Sequence, residues 1–203
     1  MAAPMPLPDP ALLTAAWRGS LEEVGKLLAE GADIEEKGGE LEWTALHAAA
    51  VFGDNPLVVR LLLDRGADVA ARDKYASAPL HHAALADSEA EAGLLLDYNA
   101  DVRARDSTGN TPLHHAAIYG STRVARLLLA KGADVSAKNC AGRTPRENAT
   151  LCSHLQISAM IEAEEVSRAK WLAFAMGLQE RLGAASCVNV LDEGVVRLVL
   201  EHV

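Results

Sequence analysis

Apolar residues recur along this chain in pairs of short bursts, an alanine-rich stretch followed, after a polar turn, by a leucine-rich one. In the clearest copy, Pro112 to Tyr119 is followed by Gly120 and Ser121, and then by a stretch from about Thr122 to Lys131 that sets Val124, Leu127 and Leu128 at helical spacing on one face. Thr111 is a helix-capping residue, and Pro112 suits the first helical position, where its missing N–H costs nothing and its fixed φ is already helical. Gly120 provides a left-handed end for the first helix, and Gly132 stops the second. The pattern therefore predicts helix, turn, helix, extended turn. Alanines at 48 to 50, 83 to 84 and 116 to 117 keep the first helices thin. Neighbouring units can then stack at the roughly 8–10 Å of close helix packing.

These units repeat in register. Thr44-Ala-Leu-His47, Ala78-Pro-Leu-His81, Thr111-Pro-Leu-His114 and Thr144-Pro-Arg-Glu147 follow one another at 34, 33 and 33 residues. Gly31-Ala-Asp33, Gly66-Ala-Asp68, Asn99-Ala-Asp101 and Gly132-Ala-Asp134 keep step at 35, 33 and 33. The period and the Thr-Pro-Leu-His-x-Ala pattern resemble the ankyrin repeat over roughly residues 9 to 166. The resemblance implies an all-α solenoid of stacked helix-turn-helix repeats with β-hairpin-like fingers, used to bind other proteins. The expected organisation is a flexible N-terminus at 1–8, an array at 9–166 consisting of an N-terminal cap and about four repeats, and a C-terminal helical extension at 167–203.

Departures from the pattern carry their own expectations. Gly38-Gly39 marks a longer first finger, and Gly53-Asp-Asn-Pro56 a longer turn between helices. Asp87 and Asn99 stand where neighbouring repeats have glycine, and Gly93 lies inside a second helix, so that repeat is expected to be the weakest inner one. Arg146 and Glu147 give the fourth repeat the polar outer face of a terminal one. Beyond residue 167, Trp171 to Met176 and Val195 to Leu200 are apolar and helix-compatible, with a break expected at Gly183 to Ser186. Leu191 to Val203 loosely resembles the helical recruitment boxes, of the F-box or SOCS-box kind, that follow ankyrin arrays in ubiquitin-ligase adaptors. The competing reading makes it a packing element of the array.

The composition fits this picture. Of 203 residues half are apolar and 4% aromatic, as in an Ala/Leu/Val-rich helical protein. A formal charge of −9 argues against a general nucleic-acid surface. No stretch has the roughly 18–20 consecutive apolar residues of a membrane span, and the first ten residues lack the basic-then-apolar order of a secretion signal. Cys140, Cys152 and Cys187 form no metal-type spacing and leave an odd thiol, which suits a cytoplasmic or nuclear protein.

Among candidate chemistry, His47, His81 and His114 occupy the position that the resemblance assigns to hydrogen bonding with the neighbouring turn. His82 and His115 are less usual and would fall on adjacent helices, but no third ligand accompanies them, so neither a metal site nor a cofactor is expected. No nucleophile elbow, phosphate loop or zinc-protease pattern is present, so the chain reads as a non-enzyme. Cys140 reads as an inert residue at a finger tip. The resemblance implies a binding face made of finger tips, here Lys74, Tyr75, Ser77, Ser107, Thr108, Asn110 and Arg143, and of first-helix residues, here Val51, Phe52, Leu85, Ala86, Ile118 and Tyr119. Phe52, Tyr75 and Tyr119 place three of the chain's eight aromatic residues there, the type of side chain that anchors interfaces. The expected partner is another protein, bound by a monomer. An adaptor using the C-terminal helices is the alternative, and an enzyme or metal protein would instead need a polar cluster converging on His82 and His115.

Overall fold

In the computed structural model the described residues are 10–52 and 55–182, excluding the side chains of Phe52, Leu172, Ala173 and residues 175–182. The expected flexible N-terminus at 1–8, the Gly53 end of the longer turn, the break at Gly183 to Ser186 and the box-like segment 191–203 lie outside them. The helices are α1 (Ala11–Trp17), α2 (Leu21–Ala29), α3 (Ala45–Phe52), α4 (Pro56–Asp64), α5 (Pro79–Ala86), α6 (Glu89–Asp97), α7 (Pro112–Tyr119), α8 (Thr122–Ala130), α9 (Pro145–Leu151) and α10 (Leu155–Leu182). The chain divides into two units, Met1–Glu164 and Glu165–Val203.

The first unit is two layers of helices. The first helix of each repeat packs on the first helix of the next, α1 on α3, α3 on α5, α5 on α7 and α7 on α9, while the second helices α2, α4, α6 and α8 form a parallel row behind them. One core runs through the stack, with Leu46, Leu80 and Leu113 from the first layer and Val58, Leu62, Leu95, Val124 and Leu128 from the second, all buried. Leu127, expected on the buried face with Val124 and Leu128, is only partly buried and packs on the core from its edge. The alanines account for the close stacking: Ala48, Ala49, Ala83, Ala84, Ala116 and Ala117 are all fully buried, where any longer side chain would push the layers apart. Gly120 ends α7 in the left-handed region at φ 80°. Asp87 does the same for α5 at φ 56° although it is not glycine.

The connecting fingers are turns rather than strands. The β-bridge Gly38 to Trp43 in the first finger is the only strand-like pairing among the described residues. In the second unit, the described part of α10 exposes Val166, Trp171 and Phe174, with the two aromatic rings edge to face at 6.2 Å.

Candidate binding face of fingers and first helices

The second, third and fourth fingers are each closed by one residue. The Asp73 side-chain Oδ1 accepts the backbone N–H groups of Tyr75 and Ser77, both at 2.8 Å. Asp106 accepts those of Thr108 and Asn110, and Asn139 those of Ala141 and Arg143, at 2.8 to 3.0 Å. A short polar side chain that bonds the backbone two and four residues on holds a tight turn without a strand partner.

Neighbouring fingers are then tied together by three parallel sets of bonds. Backbone N–H groups of Lys74, Ser107 and Cys140 donate to the carbonyls of Leu41, Tyr75 and Thr108 at 2.8 to 2.9 Å. The Lys37 ammonium donates to Arg72 O, the Arg72 guanidinium to Arg105 O, and the Arg105 guanidinium to Lys138 O, at 2.7 to 3.2 Å. His47, His81 and His114 donate from Nε2 to the carbonyls of Ser77, Asn110 and Arg143, at 3.0 to 3.1 Å, while Nδ1 accepts the N–H of Thr44, Ala78 and Thr111. Both ring nitrogens are therefore used by the neutral form, and a second ring proton would meet an N–H donor. Burial lowers the pKa of His47 and of His81 to about 4, reinforced by His82 and His115 respectively. Burial also lowers that of His114, with the Arg105 charge acting the same way against the Arg143 carbonyl bond. These three are structural, as the repeat pattern implies.

His82 and His115 do not converge on a shared ligand. Each donates from Nε2 to the carboxylate that closes its own finger, His82 to Asp73 at 2.9 Å and His115 to Asp106 at 2.8 Å. Burial would raise both carboxyl pKa values, but the histidine bonds and the finger's own donors, Ser77 N–H for Asp73 and the Thr108 hydroxyl for Asp106, outweigh it and hold both below the usual range. Among the described residues no three His, Cys, Asp or Glu side chains gather as metal ligands.

The candidate contacts fall into distinct groups. Lys74, Ser107, Thr108, Arg143 and Tyr75 are exposed at the finger tips. Asn110 is half-buried, its amide donating to the Thr108 hydroxyl and its oxygen accepting from Asn139. Val51, Leu85, Ala86 and Ile118 are half-buried at the ends of their helices. Tyr75 and Tyr119 are 53% and 54% exposed, and the Tyr119 ring stacks on His115 at 6.1 Å. Ser77 is a correction: it is 5% exposed, because its N–H bonds Asp73 and its carbonyl accepts from His47, and it presents nothing to a partner. The Phe52 side chain lies outside the described residues. Cys140 is exposed at its finger tip, as expected.

Leu151 escaped the sequence reading. It stands 33 residues after Ile118 and is 62% exposed at the end of α9, followed by Leu155 at 71%. Its signal was the register itself, hidden because Arg146 and Glu147 replace the motif at the head of that helix. The finger-closing series Asp73, Asp106 and Asn139 was legible in the same 33-residue step.

The sequence model for ankyrin repeats in three copies matches residues 12–106, 70–139 and 87–164. The chain belongs to the ankyrin-repeat family. As an ankyrin array it is a module for protein–protein interaction, and none of its described helices is long and apolar enough to cross a membrane. It is also 46% identical over 69 residues to the mitochondrial disaggregase of Homo sapiens, and 44% identical over the same length to that of Bos taurus. Those stretches cover 34% of this chain and 10% of each relative, so the chain spans about a tenth of the length of the curated relatives it matches.

Proposed function

We propose that this ankyrin array is a recognition scaffold, without chemistry of its own, that binds a partner protein across the finger tips and the ends of its first helices. The observation that carries this reading is the pair Tyr75 and Tyr119, each more than half exposed, on a layer whose first helices leave Leu85, Ala86 and Ile118 half-buried. Large apolar side chains left open on a rigid support gain most when a partner desolvates them. The kinship with the disaggregases supports a shared interaction module; the activity named for those relatives belongs to proteins of which this stretch is a tenth. The test is a photo-reactive amino acid placed at Tyr119 or, on the opposite layer, at Leu57 of α4, which is equally exposed at 54%. One protein captured from Tyr119 and absent from the Leu57 sample supports the face; capture from Leu57 alone rejects it.

A second reading is that the chain is an adaptor, one that joins a bound protein to a ubiquitin ligase through its C-terminal helices. Trp171 and Phe174, 44% and 50% exposed on α10, favour it. Replacing both by Ala should remove a second captured protein without affecting the one held at Tyr119. Loss of both together would count against an adaptor.

A further inference from the structure

The tips of the later fingers expose cations, in a chain whose net charge is −9. Lys74, Arg105, Lys138 and Arg143 are exposed and Arg72 is partly so. The acidic residues among these finger tips, Asp73 and Asp106, are turned inward, with side chains 1% and 7% exposed against His82 and His115. Asp68 and Asp101, exposed, and Asp134, half-buried, stand at the base of the fingers instead of the tips, each bonding the backbone N–H two residues on. The first finger is the reverse: Glu35, Glu36, Glu40 and Glu42 are exposed there beside a single cation, Lys37. The helices α3, α5 and α7 behind the fingers contain no Asp, Glu, Lys or Arg at all. The face is thus an uncharged floor with a basic row along its second to fourth fingers and an acidic stop at its first.

The row has a period. Arg72, Arg105 and Lys138 stand at successive 33-residue steps, and the arginines are held there by bonds to the next finger's carbonyls. Stacked helices repeat at roughly 8–10 Å. An extended chain in the polyproline-II conformation returns to the same face every third residue, after about 9 Å. The two spacings match.

We propose that the partner segment is acidic and extended, with a carboxylate at about every third residue facing the second to fourth fingers and an apolar side chain between them reaching Tyr75 or Tyr119. The glutamates of the first finger then fix where that segment stops. This deepens the reading of the face as the binding surface and rests on it. The measurement is selection of random twelve-residue peptides, long enough to cross three fingers, against the immobilised full chain. The expected binders are enriched in Asp and Glu at intervals of three, and they weaken by about tenfold or more as salt rises from low to several hundred millimolar. They weaken comparably with the Lys74→Glu, Lys138→Glu, Arg143→Glu triple variant, whose melting should match the parent because none of those three side chains is bonded within the described residues. Neutral or basic binders that cross-link from Tyr119 would overturn the acidic-segment proposal and leave the binding face standing. Binders that cross-link only from Leu57 would overturn both. Acidic binders indifferent to the triple variant, or a homopolymeric RNA that displaces them, would also overturn the proposal.

Discussion

Gly93 sits inside α6 where the neighbouring repeats have the exposed Arg60 and Arg126. A Cβ built there meets nothing within 4 Å, and its backbone is not in the left-handed region. Gly93→Ala should therefore raise stability by about 0.5–1 kcal/mol, mainly by restricting the unfolded chain; a lower urea midpoint would contradict it. Asn99 and Asp87 look alike in sequence but differ in structure. Asn99 holds φ 65° and contributes no side-chain bond among the described residues, so Asn99→Gly should relieve strain and stabilise by up to about 1 kcal/mol. Asp87 also has positive φ, yet its carboxylate accepts the Val124 N–H at 3.0 Å and pairs with Arg123, capping α8 from the repeat before. Asp87→Gly should then bring no gain, a contrast that parallel melts of the two variants would show. In α8, Leu128 is fully buried, and Leu128→Ala should cost roughly 2–5 kcal/mol through the cavity it opens. Leu127→Ala should cost clearly less, and equal losses would place Leu127 in the core after all.

At the scale of the elements, the first helices are joined to the next finger by neutral imidazoles, which gives the array a pH dependence. An unfolded histidine takes its proton near 6.5, whereas His47 and His81 in the fold take theirs only near 4. Between those values the unfolded state binds more protons, so stability falls as pH falls. The contribution of each residue is whole above about pH 6.5 and is lost by about pH 4, on the order of 3 kcal/mol for each. His114, shifted in the same direction, adds to the slope. Asp73 and Asp106, whose pKa values are lowered, extend the loss below the ordinary carboxyl range as they protonate. Denaturant midpoints that decline steadily from pH 7 to pH 4.5 are the expected result. A flat profile across that interval would mean that these rings are not held neutral.

Among the described residues of the first unit, each repeat packs chiefly on its neighbours, so the array's stability is close to a sum of repeats and interfaces. Damage should then spread by adjacency. Leu95→Ala in the middle of the stack, where Leu95 is fully buried, should lower hydrogen-exchange protection most in α5 to α8 and least in α1 and α9. Uniform loss along all the helices would indicate a single cooperative block instead.

The sequence by itself determined the repeat, the helix pairs and their boundaries, because capping residues, glycines and apolar spacing act within a few residues and recur every 33. Through the ankyrin resemblance it also implied a structural role for His47, His81 and His114, and it offered Tyr75 and Tyr119 as candidate contacts. Only the tertiary structure decided the rest, because that depends on which groups meet once each finger folds onto its own first helix and onto the neighbouring repeat. It withdrew Ser77 into a finger and set Leu127 at the core's edge. It paired His82 and His115 with Asp73 and Asp106, which turns two carboxylates inward and leaves the cations exposed at the tips. It turned Asp87 from a tolerated substitute for glycine into the cap of a neighbouring helix. Local chemistry is written in adjacent residues, whereas the sign of the charge on a face depends on side chains that only folding brings together, nine positions apart within a repeat and 33 apart between fingers.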